Sequence, residues 1–211
     1  MSSQPKSHTR DDPLARREQI LDEAIRIIGE RGYYGFAVQD LAGRCGLTTA
    51  GLLYHFKTKE QLFMAVLSER DRRAEEALMR LLASFPVENF AKLALPLGEV
   101  VTLLRAVLEI TVAQPELSRL FVVLGAESLH KSHPGYAYFR RREERVIEML
   151  ARIVGAHVVD PRSTARQISA LMLGLQQQWL GADGEWDLLA QWDQAIAKVL
   201  PEPDSKVAQA K

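Results

Sequence analysis

Residues 38–59 read VQDLAGRCGLTTAGLLYHFKTK, and their spacing decides the fold. Val38, Leu41, Ala42 and Cys45 recur at i, i+3, i+4 and i+7, the period of a short amphipathic helix. Gly46 takes a positive φ without steric cost and stops that helix. Thr48 or Thr49 is placed to cap a second short helix that ends near Phe56. Two helices this short, a few residues apart, cannot bury a core of their own. They make sense packed on longer neighbours, with Leu47 and Leu52 turned inward and the small Ala42 allowing a close approach. That is the spacing of a helix-turn-helix. Its outward face is then Thr48, Thr49, Ala50, Leu53, Tyr54 and His55. A helix of this size fits the major groove of B-DNA. Threonine hydroxyls bond a base edge or a phosphate, Ala50 and Leu53 suit thymine methyls, and Tyr54, His55 and Lys59 suit backbone oxygens. The reading helix lacks Arg, Asn and Gln, so bidentate base contacts are scarce, and shape and water are expected to help.

The flanking sequence supplies the longer neighbours. Before the motif, residues 13–31 carry the stripe Ile20, Leu21, Ala24, Ile27, Ile28 against a charged face, and Gly32 is placed to stop the helix. After it, Thr58-Lys59-Glu60-Gln61 is a capping box that opens a long helix through Leu82, closed by Pro86. A short turn is expected over 87–95. Helices follow near 96–113, 115–129, 134–156, 161–181 and 185–199, with Pro115, Pro134 and Pro161 each at a first turn where an N–H would be unpaired anyway. No stretch alternates as a strand does. The expectation is an all-α chain of about nine helices. A helix-turn-helix domain over 13–60 is joined by the long helix to a helical domain over 61–200. Polar tails at 1–12 and 201–211 are expected to be disordered.

Composition narrows the class. Forty-seven per cent of the 211 residues are hydrophobic, enough for a real core. The 27 basic and 27 acidic residues cancel, and the first sixty residues are nearly balanced too, so composition leans away from nucleic acid and the case rests on where the charges sit. The single cysteine, Cys45, rules out an intramolecular disulfide and fits a reducing, cytoplasmic location. No apolar run is long enough to span a membrane, and the polar 1–12 stretch is not expected to be a secretory signal.

The order and spacing of Gly32-Tyr33, residues 38–42 and the run GLTTAGLLYHFKTKEQLF over 46–63 resemble the TetR family of repressors. The resemblance covers roughly 14–67 and is strongest at Tyr-His-Phe-x-x-Lys-Glu-x-Leu. It implies a homodimer whose first three helices bind a near-palindromic duplex, with a small-molecule effector bound in the helices behind. Two positions depart from the family pattern. Phe36-Ala37 stands where a Thr/Ser pair often opens the second helix, and Leu53 where tyrosine is frequent. In the C-terminal half, residues 115–121, 133–142 and 174–180 look similar to a common subtype. Family practice implies a pocket among the middle helices and a dimer interface on the last two. The pocket candidates are Leu104, Val107, Leu108, Phe121, Leu124, Phe139, Leu175, Gln176 and Trp179; the interface candidates are Leu171, Trp186, Leu189, Trp192 and Ile196. The reading is a repressor released from its operator by a small, largely apolar ligand, and the alternative is a helical adaptor that keeps the helix-turn-helix as scaffold.

Other features have plainer readings. Cys45 lies on the buried stripe of its helix and reads as core. His130 and His133 have no third ligand near them in sequence and read as a solvated loop, so no metal or other cofactor is expected. Arg140, Arg141 and Arg142, which could bind phosphate, sit beside Glu143 and Glu144 and read as a mixed exposed face. Trp186 and Trp192 fit subunit core or dimer seam equally, and Gln176 fits a ligand hydrogen bond or one to a neighbouring helix. No Gly-x-Ser-x-Gly or His-Glu-x-x-His motif occurs, so no catalysis is expected.

Overall fold

The computed structural model describes residues 13–83 and 95–200. The two terminal tails, the Pro86 stop and the turn expected over 87–95 (Leu95 apart) lie outside the described residues. Within them are nine helices: α1 (Pro13–Gly35), α2 (Val38–Arg44), α3 (Thr49–Phe56), α4 (Lys59–Leu82), α5 (Leu97–Ala113), α6 (Pro115–Glu127), α7 (Tyr136–Val154), α8 (Pro161–Gly181) and α9 (Leu188–Val199). No described helix is long and apolar enough to cross a membrane.

The helix ends follow the chemistry of their sequence. Regular α1 geometry breaks at Gly32, whose φ of 72° and ψ of 177° leave the helical region, and one further turn completes the element. Thr48 accepts a hydrogen bond from the Gly51 N–H, and Thr58 accepts one from the Gln61 N–H, so α3 and α4 both start on a threonine cap. Thr58→Ala is expected to cost about 1 kcal/mol, seen as a lower urea midpoint with an unchanged m-value. Pro115 and Pro161 occupy first turns as expected. Pro134 does not: α7 starts at Tyr136 with Gly135 as its cap, and Pro134 belongs to the turn before it. The last helix begins at Leu188, because Asp187 accepts from the Leu189 and Ala190 N–H groups. Trp186 therefore precedes that helix and is not part of its stripe.

Two apolar cores result. The first joins Ile20, Ile27 and Ile28 of α1, Leu41 of α2, Leu52 and Phe56 of α3, Leu62, Phe63 and Val66 of α4, and Leu120 and Leu124 of α6. Packing therefore does not stop at residue 60, since α6 closes the core of the head against α1. The second core gathers α5, α7, α8 and α9 around Leu104, Val154, Ile168, Trp192 and Ile196.

One expectation needs correction here. Trp192 and Ile196 were candidates for the dimer interface, yet both are sealed in the second core of a single chain, at 0% and 1% exposure. They face inward because Leu188, Trp192, Ile196 and Leu200 repeat every four residues on the side of α9 that meets α5 and α8. The candidate pocket residues are divided between the two cores. Leu124 and Phe139 belong with the first core, whereas Leu104, Leu108, Leu175 and Trp179 belong with the second.

Candidate nucleic-acid interface

α2 and α3 meet at the Gly46 turn, where φ is 64°. The Leu47 N–H donates to the Ala42 carbonyl at 2.8 Å and closes the turn. Leu52 and Phe56 are buried beneath α3, and Leu47 packs partly against the same core. What α3 turns outward is Thr48, Thr49 and Ala50, all exposed, and Tyr54, at 86% the most exposed large side chain of the motif. Leu53 and His55 are half-buried on its flanks. The Tyr54 ring stands edge-on to that of His55, their centres 5.6 Å apart, and its other side is open to solvent.

The charge pattern fits an anionic partner better than net charge does. No Asp or Glu occurs between residues 47 and 59. Four carboxylates of the head are engaged with arginines: Asp22 with Arg73, Glu23 with Arg44 and Arg26, Glu30 with Arg44, Asp40 with Arg31. Lys57 stays exposed at the end of α3. It sits at φ 55°, ψ −49°, with the Thr58 N–H bonded to the Phe56 carbonyl at 2.6 Å. This is a strained three-residue γ-turn that sets the angle between α3 and α4. Nothing in the sequence marks a strained turn on lysine, and Lys57 was not among the candidates. Arg17 lies on the rim, its guanidinium 4.4 Å over the Phe56 ring.

Lys59 is held differently from its neighbours. Its ammonium donates to the Phe36 carbonyl at 2.8 Å and lies 4.3 and 4.7 Å over the rings of Phe36 and Tyr33. Burial lowers its pKa from the ordinary lysine range, with Glu60 and Glu127 opposing that shift. It braces the start of α4 on the loop before α2. Phe36, the departure from the expected Thr/Ser pair, is one wall of this brace. Cys45 is buried as expected, and burial pushes its thiol pKa up, which suits a core residue and not a reactive thiolate.

Behind the head, the end of α1 is tied to α6. The Tyr33 N–H donates to the Glu127 carboxylate at 2.7 Å, and the Tyr33 hydroxyl donates to Glu60 at 3.1 Å. His133 corrects the solvated-loop expectation. Its ring is buried edge-on to Tyr33, Tyr34 and Phe63, its Nδ1 accepts from the Gly135 N–H at 3.0 Å, and its Nε2 lies 3.5 Å from Glu127. Burial lowers its pKa, against the pull of Glu127. His130 remains exposed. Among the described residues no group of three His, Cys, Asp or Glu side chains could hold a metal. In the body, the Gln176 amide reaches the Ser118 carbonyl at 3.4 Å, a neighbouring-helix contact. Leu171, Trp186 and Leu189 are half-buried on the α8–α9 side, and Leu173 beside them is exposed.

The comparisons with known proteins fall on this geometry. Residues 20–66 match the model of "Bacterial regulatory proteins, tetR family". The HTH-type transcriptional regulator RutR of Escherichia coli (strain K12) is 32% identical over 107 residues. That match covers 51% of this chain and 46% of RutR, so the chain spans about half the length of that relative. The structure of AibR in complex with isovaleryl coenzyme A and operator DNA superposes with a TM-score of 0.68 at 23% identity, over 89% of this chain and all of that one. FadR from Bacillus subtilis in complex with stearoyl-CoA gives 0.66 at 14%, over 87% and 97%. At such identities the two structures establish the fold alone, while the family match falls on the head just described. With its three-helix head, linking α4 and helical body, the chain has the fold of those two structures, and its head, residues 20–66, is similar in sequence to the bacterial regulatory proteins of the tetR family.

Proposed function

We propose that this chain is a sequence-specific DNA-binding transcriptional regulator, a repressor that a small molecule releases from its operator. The observation that carries this reading is the outer face of α3: exposed threonines and an 86% exposed tyrosine on a buried apolar base, with no carboxylate across residues 47–59. In a homodimer, two such helices about 34–36 Å apart would read a near-palindromic site. Thr48, Thr49, Ala50 and Leu53 take the base edges, and Tyr54, His55 and Lys57 the phosphates. Lys59, with one N–H already on the Phe36 carbonyl, contributes to phosphate through its remaining donors and chiefly holds α4 in place. Leu171, Leu173, Trp186 and Leu189 are the side chains left on the α8–α9 surface to meet a second copy. The effector sits in the body, lined from the second core by Leu104, Leu108, Leu175 and Trp179, with Val107 of α5 beside them. Because AibR and FadR carry acyl-coenzyme A ligands, an acyl thioester is the ligand class to try first. The ligand acts only through its difference in affinity for two α4 arrangements.

The test is fluorescence anisotropy of the purified protein with duplex from upstream of its own gene, across a salt series, with a scrambled duplex as control. Selective binding that weakens steeply with salt is expected. Lys57→Ala should lower the slope of log K against log salt by about 1, and Tyr54→Phe should weaken both duplexes alike with the slope kept. Equal, feeble binding to both duplexes, with no enrichment from a random-sequence selection, would sink the reading and leave the adaptor.

A further inference from the structure

Arg142 departs from the mixed exposed face expected for residues 140–144. It turns inward from α7, half-buried, with its guanidinium carbon 4.3 Å from the centre of the Phe121 ring on α6. Arg70 of α4 lies 4.4 Å from the centre of the same ring. One carboxylate serves this cluster. Asp71 Oδ1 accepts from Arg70 at 3.1 Å and from the Tyr138 hydroxyl at 2.6 Å. Asp71 is thus committed to α4 and to Tyr138, while Arg142 makes no hydrogen bond or ion pair with any described residue. The half-buried guanidinium sits in an aromatic setting with a second arginine on the same ring. Burial and the Arg70 charge push the Arg142 pKa down to about 10, against the weaker pull of Tyr138 and Asp71. Buried charges are ordinarily paired, because an unpaired one costs several kcal/mol of solvation.

The geometry points to an oxyanion site at the junction of α4, α6 and α7, in which Arg142, assisted by Arg70 and the Tyr138 hydroxyl, takes the carboxylate or phosphate group of a small ligand. The planar guanidinium presents two parallel donors, which match two oxygens of either group. Phe121 and Phe139, 5.3 Å apart, would lie beside an apolar remainder of that ligand. The place is suited to regulation. Phe139 and Tyr138 pack against the core of the head, and Arg70 and Asp71 lie on α4, the helix that continues from α3. An anion there would draw α7 and α4 together. The proposal rests on the regulator reading for its purpose, but its test does not require DNA.

Thermal unfolding is followed in chloride, butyrate and inorganic phosphate at equal ionic strength, with isothermal titration of the latter two. For the wild type, saturating butyrate or phosphate should raise Tm by roughly 3–6 °C over chloride, with one site per chain. Arg142→Met should abolish the titration heat and leave only the general salting effect of phosphate. It should also unfold at a higher temperature than the wild type in chloride, because a half-buried charge with no hydrogen-bonded partner has been replaced by an apolar chain of similar length. Arg142→Gln serves as the second variant should the first fold poorly. Response to phosphate and not butyrate assigns the site to phosphate groups; the reverse assigns it to carboxylates. Equal shifts in wild type and both variants would overturn the proposal, as would heats that persist without Arg142. If DNA binding of the wild type stands while the anion response fails, only the oxyanion site is lost.

Discussion

Gly32→Ala is expected to lower the unfolding free energy by about 3–5 kcal/mol. Two independent causes add. The backbone at Gly32 has φ 72° and ψ 177°, a region that is essentially glycine-only and costs another residue about 1–3 kcal/mol. A Cβ there would also fall into the Glu127 carboxylate, 2.6 Å from its carbon. That carboxylate is not free to swing away without loss, since it accepts the Tyr33 N–H at 2.7 Å; a charge-assisted bond of this kind contributes roughly 1.5–3 kcal/mol. Urea unfolding at fixed protein concentration measures the sum. The two causes separate in a double-mutant cycle with Glu127→Ala. In that background the clash and the bond are both gone, so Gly32→Ala should cost only the backbone term. Full additivity of the two substitutions would mean that the carboxylate does not rest on the glycine turn.

Much of this architecture was legible before any coordinates. Helix periods located the elements, and Thr48, Thr58, Pro115, Pro161, Gly32 and Gly46 announced where they begin or end, because caps and turns are local chemistry. The outer face of α3 was legible for the same reason. What escaped were side chains whose setting is made by distant parts of the chain. His133 follows three polar residues and looks like surface, yet its ring is enclosed by Tyr33, Tyr34 and Phe63, brought from far away by the packing of α1 and α4. Lys59 looked like a phosphate ligand because its sequence neighbours do; its carbonyl partner is on Phe36, across the head. Arg142 did leave a signal. Tyr138, Arg142, Val146 and Leu150 repeat every four residues, and three of the four are apolar or aromatic, which places Arg142 on the inner face of α7. The adjacent Glu143 and Glu144 masked it, since charge runs ordinarily mean solvent.

Trp192→Ala is the second large effect, and it separates core from interface on α9. The ring is wholly enclosed within one chain by the α5, α8 and α9 side chains of the second core, so truncation removes a full aromatic burial and leaves a cavity, costing about 3–5 kcal/mol. The indole N–H has no hydrogen-bond partner among the described residues, so no polar interaction is lost to enlarge that figure. Trp192→Phe should therefore be much milder, because it drops an unpaired donor along with part of the ring. Trp186 is the contrast. It is half-buried, lies ahead of the helix, packs against the second core and belongs to the surface proposed above to meet a second copy. Trp186→Ala should leave a smaller mark on unfolding but shift the concentration at which the dimer forms. Urea unfolding repeated over a hundredfold range of protein concentration tells these apart, since a lesion confined to the interface changes the concentration dependence of the midpoint. If Trp192→Ala instead dissociated the dimer while each subunit kept its stability, α9 would have to turn its Trp192 face outward in the assembly. The four-residue repeat that buries Leu188, Trp192, Ile196 and Leu200 together argues against that, because rotating the helix to free one of them would expose all four.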